Sequence, residues 1–360
     1  MICNLILIFS ICLFNNSNAF KITYISTINK CGIATYTRHL VNELNRLGES
    51  AKIINSLQSA NSIINELEKE IPDIINLQFS AGTVNLDFLK VADWAKLNDV
   101  KFIVTVHENF FWLPDLILKA DKVILHKDDI KSDSLKYISI PMAVPNFELK
   151  YTKSELRKKY SYNNNDIIIS TFGFMIGWKN HAKIVYKLTP YLNKNKNIKL
   201  QLLTSYSTRI DLRNEDKKIK KAIKDSNVSN QIVHITDFLP DKEICERLYI
   251  SDLGFLWGEK DYAIKVLGST PNTTSASDKQ FVSARLPLVI VDCAHYHNCN
   301  TGVVKTNQNI RQFIDTIIKT VEDKQKLEKL RKEMDDKYQK NCSSTIINKH
   351  LEVFYSLLKS

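Results

Sequence analysis

From Phe20 onward the chain alternates two kinds of segment. Short β-type runs occur at Phe20–Ile25, Ala51–Ile54, Asp73–Leu77, Lys101–Val106 and Lys122–His126, then at Asp166–Phe172, Asn197–Thr204, Gln231–Ile235, Asp252–Trp257 and Pro287–Val291. Most are continuously apolar, and the gaps between them hold helix-like stretches such as Thr35–Leu47, Ser62–Glu70, Asp241–Tyr249 and Lys279–Ala284. A strand that is apolar on both faces needs cover on both, so the pattern predicts parallel sheets sandwiched by helices. Between the two groups of strands lies Pro145–Asn165, polar and rich in Lys and Asn, with no apolar strand, which reads as a domain junction. The expected division is an N-terminal extension at 1–19, Rossmann-like α/β domains at 20–150 and 151–325, and C-terminal helices at 326–360. In the last of these, Leu327, Leu330 and Met334 have core spacing, and Leu351, Phe354, Tyr355 and Leu358 form an apolar stripe. That stripe is expected to return to the first domain, with a hinge near Pro145–Tyr160.

Composition narrows the function classes. With 360 residues, 44% hydrophobic and 25% charged, the chain is globular and not a disordered, collagenous or disulfide-scaffold protein. A net charge of +11 suits an acidic partner: phosphate groups, a nucleotide, an anionic membrane or nucleic acid. The seven cysteines include no Cys-x-x-Cys. Cys293, His295, His297 and Cys299 alternate, so an extended strand would set them on one face, but preformed zinc sites use cysteines two to four residues apart. The run reads as a loop, and no metal is expected. Residues 5–14 are apolar, half the ~20 needed for a helical span. Ser17 and Ala19 have the spacing of a signal-peptidase site, yet no charge precedes Lys21. A cleaved signal and an extension without structural role both fit.

Several chemistries lose their signature. None of the nine glycines forms a Gly-x-Gly pair or a P-loop, there is no Gly-x-Ser-x-Gly elbow, and no Asp-x-Asp occurs. A phosphorylated substrate would then be met by backbone dipoles and cations. Gly32 follows a strand and opens a helix, so backbone N–H groups are free for an anion or hydroxyl, although a plain tight turn fits equally. His107, with Glu108 next to it, stands where the chain leaves a buried parallel strand, the edge at which α/β sheets bind ligands. Lys179 follows another strand across a turn that contains Gly173, where an ammonium could meet a diphosphate. Thr273-Thr-Ser-Ala-Ser277 precedes a helix and offers hydroxyl and N–H donors, again with a ligand-free N-cap as the alternative.

Taken in order, the landmarks resemble a known family. Cys31-Gly-Ile-Ala-Thr-Tyr-Thr-Arg-His-Leu40, Pro72-Asp-Ile-Ile-Asn-Leu-Gln78, Val104-Thr-Val-His-Glu108, Ala120-Asp-Lys-Val-Ile-Leu-His126 and Ile140-Pro-Met-Ala-Val-Pro145 are similar to segments of the first half of GT-B glycosyltransferases of the family 4 type. Ser170-Thr-Phe-Gly-Phe-Met-Ile-Gly-Trp-Lys-Asn180, Asp237-Phe-Leu-Pro-Asp-Lys-Glu243 and Arg285-Leu-Pro-Leu-Val-Ile290 resemble segments of the second half, so the likeness runs from about Phe20 to Val304. It implies a GT-B fold, with two Rossmann-like domains facing a cleft and a C-terminal helix crossing back. It also implies roles. His107 would lie beside the transferred sugar as the catalytic residue. Gly32, Gly173, Lys179, Asn272, Thr273, Thr274, Ser275 and Gln280 would bind donor phosphate and sugar, and Phe238 and Leu239 the base region.

Two departures stand out. The Arg that many members carry just after the glycine is replaced by Phe174, with Arg209 or Lys260 as substitutes, and the two family glutamates fall at Asn272 and Gln280 as amides. The resemblance implies a metal-independent, retaining hexosyl- or related transferase in glycan or polysaccharide biosynthesis. Its partners would be a nucleotide sugar and a glycan, lipid-linked or other hydroxyl acceptor, with no cofactor. The amides also fit a degenerate nucleotide-binding or partner protein without transfer activity. No aromatic-basic RNP motif is visible, so nucleic acid is not expected, while peripheral contact with an anionic membrane stays open. The expected location is cytoplasmic or at the membrane periphery.

Overall fold

The continuous apolar runs become strands buried on both faces of two parallel sheets. A computed structural model of the chain describes residues 19–80, 87–107, 114–126, 136–148, 150–206, 213–259, 276–293, 296 and 299–360; the signal-like segment 1–18 lies outside them. The first sheet is built from β1 (Lys21–Ser26), β2 (Ser50–Asn55), β3 (Ile74–Phe79), β4 (Lys101–Val106), β5 (Lys122–Leu125) and β6 (Tyr137–Ser139), in the order β2-β1-β3-β4-β5-β6. The second holds β7 (Ile167–Phe174), β8 (Ile198–Ser205), β9 (Ile232–Ile235), β10 (Leu253–Leu256), β11 (Leu288–Val291) and β12 (Val303–Thr306), in the order β12-β11-β10-β7-β8-β9. Every pairing is parallel. In each sheet the first strand, β1 or β7, sits where the strand order reverses, the switch point at which open α/β sheets take ligands.

The period of two sorts the first sheet's side chains into separate cores. Ile25, Ile75, Leu77 and Val104 face α2 (Ala60–Lys69), α3 (Phe88–Leu97) and α4 (Pro114–Lys119). Ile22, Tyr24, Ile74, Ile103 and Ile124 belong to the opposite core, with Tyr36, Leu40 and Leu44 of α1 (Gly32–Arg46) and Ile346, Val353 and Phe354 of the last helix. Around the second sheet the chain adds α5 (Lys153–Lys159), α6 (His181–Lys194), α7 (Arg213–Asp225), α8 (Asp241–Tyr249), α9 (Ala276–Ser283), α10 (Ile310–Glu322) and α11 (Lys324–Asn341). It then returns to the first sheet as α12 (Ser343–Leu358). No helix among the described residues is long and apolar enough to cross a membrane.

The chain crosses between the sheets twice, and the crossings hydrogen-bond to each other. The Val144 N–H donates to Asn341 O at 2.8 Å, the Ser343 N–H donates back to Val144 O at 2.9 Å, and Val144 and Cys342 form a parallel bridge. The outward crossing is shorter than the junction read from the sequence. Thr152 and Glu155 close a reciprocal capping box at the start of α5, and Leu156 and Tyr162 pack with Ile168 and Ile250, so the later part of Pro145–Asn165 belongs to the second lobe. The apolar stripe of α12 also needs correction. Phe354 is fully buried and Leu351 and Tyr355 are partly covered, but Leu358 turns outward at the chain end and Leu357 takes the buried place. Phe20 anchors the contact through edge-on packing with Phe354 and Tyr355, at 5.9 and 5.4 Å.

Burial also traps histidines in their neutral form. His350 on α12 lies 3.3 Å from the Tyr36 hydroxyl, and burial pushes its pKa down to about 3, helped by nearby His126. His181 is driven to about 3 by burial and then by Lys179. Burial takes His126 to about 4 against the opposing pull of its hydrogen bond to Ile140 O, with Lys279 adding to the depression. An unfolded histidine titrates near 6.5, so below that pH the unfolded chain binds protons that the folded one refuses. Stability is therefore complete above about pH 6.5 and falls as pH drops toward 4, by up to about 1.4 kcal/mol per pH unit for each histidine. Urea unfolding at pH 7.5, 6 and 5 measures this, and an unchanged midpoint would contradict it. Phe354→Ala is expected to cost about 3–5 kcal/mol through the cavity it leaves, read as a lowered midpoint in the same assay.

Candidate functional site

The carboxyl ends of both sheets point into one cleft, and the switch-point turns supply its walls. From the first lobe come Cys31, Gly32, Thr35, Tyr36 and His39; from the second come Gly173, Phe174, Phe238, Asp241, Ser277, Lys279 and Gln280, around a cavity of about 90 Å³. The lobes touch across it. A Cβ on Gly32 would stand only 2.6 Å from Ala276 Cβ, so glycine is what allows α1 and α9 to meet end to end. Nearby, His39 Nε2 lies 3.2 Å from Asp241 Oδ2, and the Lys30 ammonium lies 5.7 Å from the centre of the Phe238 ring.

Lys179 ends a 3₁₀ turn, Gly177–Lys179, and Asn180 then takes a left-handed conformation with φ 51° to start α6. This turn folds the lysine back on the strand it followed. Its Nζ occupies the space a side chain would take at Gly173, where φ is +131°, and Ser277 Oγ enters the same space from α9. Lys179 is buried, and among the described residues no carboxylate pairs with it. Burial lowers its pKa to about 8, which leaves it mostly protonated at neutral pH.

His107 stands at the end of β4, in a chain of buried polar groups. Thr105 Oγ1 and Gln78 Nε2 each donate to Asn76 Oδ1 at 2.8 Å, and Gln78 Oε1 lies 2.9 Å from His107 Nε2. The Gln78 amide is committed by Asn76, so it accepts from His107, which fixes the Nε2–H tautomer. His107 Nδ1 is then a buried acceptor without a hydrogen-bond partner among the described residues. Burial, reinforced by His126, holds the His107 pKa well below the ordinary value. Tyr36 lines the cavity and packs edge-on against His107 and His126, at ring distances of 5.3 and 5.0 Å. His107 itself is not on the cavity wall.

Of the residues singled out from the sequence, Gly32, Gly173, Phe238 and Gln280 line the cavity, with Lys179 behind Gly173. Gln280 is buried on α9 with Oε1 3.5 Å from Cys245 Sγ, and Leu239 is half-buried and off the wall. Asn272, Thr273, Thr274, Ser275, Glu108, Arg209 and Lys260 lie outside the described residues, as do His295 and His297. Cys293 and Cys299 are buried free thiols on either side of Tyr296. Several wall residues escaped the sequence reading. Tyr36 lies one helical turn after Gly32 and so shares its face, a signal that was available. Lys279 adjoins Gln280, where only the missing glutamate drew notice, and the approach of His39 to Asp241 has no local signature.

No protein-family model matches the chain, and no curated protein matches its sequence. Solved structures match its fold along nearly its whole length. A glycosyltransferase from Rickettsia africae superposes with a TM-score of 0.72 at 16% identity, covering 96% of this chain and 100% of its own. Sucrose-phosphate synthase from Thermosynechococcus elongatus gives 0.68 at 10%, covering 94% and 99%. A UDP-forming α,α-trehalose-phosphate synthase from Burkholderia xenovorans gives 0.64 at 9%, also covering 94% and 99%. At such identities the likeness carries architecture: two parallel six-stranded sheets across a cleft, with the last helix returned to the first, are the GT-B fold of glycosyltransferases.

Proposed function

We propose that this protein is a glycosyltransferase that moves a sugar from a nucleotide-sugar donor, seated against the second lobe, to a hydroxyl acceptor approaching from the first. The observation that carries this reading is the convergence of the buried Lys179 ammonium and the Ser277 hydroxyl on Gly173, at the carboxyl end of a switch-point strand. As the acceptor oxygen bonds to the anomeric carbon, the bond from that carbon to the diphosphate breaks and its electron pair goes to the phosphate oxygen. A pre-positioned ammonium gains most from that developing charge, so it lowers the barrier more than it tightens the ground state. No Asp-x-Asp pair is available to bring a metal to the diphosphate, and the cation does that work.

His107 suits a binding role better than a basic one. With its pKa held well below the usual range, the imidazole is a weak base, and its open Nδ1 accepts a hydrogen bond from a sugar hydroxyl once Tyr36 yields. The acceptor's proton then leaves on the diphosphate oxygen, on the same face as the incoming hydroxyl, which corresponds to retention. The names of the fold relatives support a nucleotide donor, one of them being UDP-forming, and a sugar or sugar-phosphate acceptor. Gln280, an amide where the family resemblance expects a carboxylate and held by Cys245, favours one alternative: a binding protein that has kept the cleft and lost transfer.

A panel of labelled nucleotide sugars with glycan and lipid-linked acceptors separates the two, since transfer supports the enzyme. Nucleotide binding with no transfer across the panel supports the binding protein. Lys179→Ala should lower turnover by about two to three orders of magnitude, while His107→Ala should reduce transfer and leave nucleotide affinity nearly unchanged. The ammonium is lost as pH rises through about 8, so nucleoside diphosphate affinity should be weaker at pH 9 than at pH 7. Calorimetry at the two pH values checks this, and the Lys179→Ala protein should lose that dependence.

A further inference from the structure

The second lobe has another cavity, of about 510 Å³, at the opposite edge of its sheet from the cleft. It opens where the chain enters β10 and β11, beside Ser251 and Leu286, and α5 and α11 complete its walls. Its size falls within the roughly 300–1,000 Å³ usual for small-molecule sites. Among the described residues four cations line it, Lys153, Arg285, Arg331 and Lys332, against two carboxylates, Glu328 and Asp335. The excess is not cancelled from behind. Asp252 lies next to the wall, but three cations already converge on it: Lys153 Nζ at 2.9 Å, Arg157 Nη2 at 2.7 Å and Arg331 Nη2 at 3.5 Å. Burial lowers the pKa of Lys153 to about 8; Asp252 opposes this, and Arg331 and Arg157 deepen it.

The face of α11 that borders the cavity carries Glu328, Arg331, Lys332 and Asp335, at spacings that would let Glu328 pair with Lys332 and Arg331 with Asp335. Neither pair forms. Arg331 Nη2 turns to Ser251 O at 3.2 Å and to Asp252, which leaves its Nε and Nη1 for a ligand. Asp335 meets Arg285 Nε at 3.6 Å instead, and among the described residues Lys332 has no ion pair. Arg285 adds an independent observation. Its N–H donates to Val282 O at 3.0 Å and the Leu286 N–H to Phe281 O at 2.9 Å, which closes the end of α9 with Arg285 in the left-handed region at φ 53°. A helix end of this kind usually takes glycine, because a Cβ there crowds the following carbonyl oxygen. Here an arginine takes the place, and its guanidinium lies over the Tyr338 ring, 3.5 Å from the centre, while lining the cavity. The stack steadies a planar fork of the kind that matches phosphate oxygens, and a strained residue kept at a cavity wall points to a use for its side chain.

We propose that this cavity is a second ligand site, separate from the cleft, for a small phosphate monoester that carries hydroxyl groups, as sugar and polyol phosphates do. Such a monoester bears a charge of about −1.5 to −2 at neutral pH, which matches the two positive charges in excess on the walls. Arg285, Arg331 and Lys332 supply N–H groups to its oxygens, and Glu328 is placed to accept from hydroxyls of its body. The assignment stands on this cavity alone and does not depend on how the cleft is used.

The test is calorimetric titration of the full-length protein with glucose 6-phosphate, glycerol 3-phosphate, inorganic phosphate and glucose. At least one ester should bind, more tightly than inorganic phosphate, and glucose should give no signal. Two variants are chosen to spare the fold: Lys332→Gln, at an exposed helix position, and Arg285→Gly, which adopts the left-handed backbone without strain. Each should weaken the preferred ester by roughly 10- to 100-fold, the range for a hydrogen bond to a charged group. Lys332→Gln decides alone if Arg285→Gly proves unstable through loss of the Tyr338 stack. Lys179→Ala, in the cleft, should bind the ester as wild type does. A wild type that binds neither ester overturns the proposal, as does one that binds inorganic phosphate as tightly as the better ester. Wild-type ester affinity in the wall variants also overturns it, and so does a loss that follows Lys179→Ala in their place, which would seat the ester in the cleft.

Discussion

One face of the first sheet organises the whole molecule. It carries Ile22, Tyr24, Ile74, Ile103 and Ile124, and its cover is divided between α1, which follows at once, and α12, which arrives after the entire second lobe has been built. A sheet buried on both faces cannot leave such a surface to water. The chain must therefore return, and the return brings the Asn341–Ser343 crossing alongside the outgoing Val144. Two hydrogen-bonded backbones now connect the lobes where one would suffice to link the sequence. Rotation about a paired connection keeps the cleft walls in register, whereas a single flexible linker would let them twist apart.

That constraint decides where charge is useful. A chain of net charge +11 has cations across its surface, and many of those that meet carboxylates do so in exposed pairs of small energetic value. The two ammonium groups of the cleft differ from those in how they are held. Lys179 is buried against a glycine with no carboxylate partner among the described residues, and Lys279 is pinned by a carboxylate itself sealed from water. Burial without full neutralisation raises the benefit of admitting an anion, because the field between such groups is weakly screened.

Much of this architecture was legible because a doubly covered parallel strand has a strong signature. The strands Ile74–Phe79 and Lys101–Val106 are buried along almost their whole length, and their ends could be read to within a residue or two. The strands that went unread, Tyr137–Ser139 and Val303–Thr306, are short sheet edges, mostly half-buried, where few apolar residues are required. The helix at Lys153–Lys159 was written into the sequence as Thr152 and Glu155 but lay hidden in a polar stretch. Gly32 and Gly173 announced themselves because a strand followed by a glycine turn is a local event. The approach of His39 to Asp241, and the presence of Lys279 and Tyr36 on one cavity wall, depend on two lobes meeting, and no periodicity in the chain encodes that meeting.

The remaining step concerns size. A cavity of about 90 Å³ is well below the roughly 300–1,000 Å³ usual for small-molecule sites, so a ligand of the proposed size enters only if the walls separate. The contacts that hold them together here are modest: the approach of Gly32 to Ala276, the partly exposed His39 and Asp241 pair, and Lys30 over Phe238. A polar contact exposed to this degree is worth at most about 1 kcal/mol, and a cation over a half-buried ring about the same. Opening is therefore inexpensive, while the paired crossings at Val144 and Cys342 limit the direction it can take.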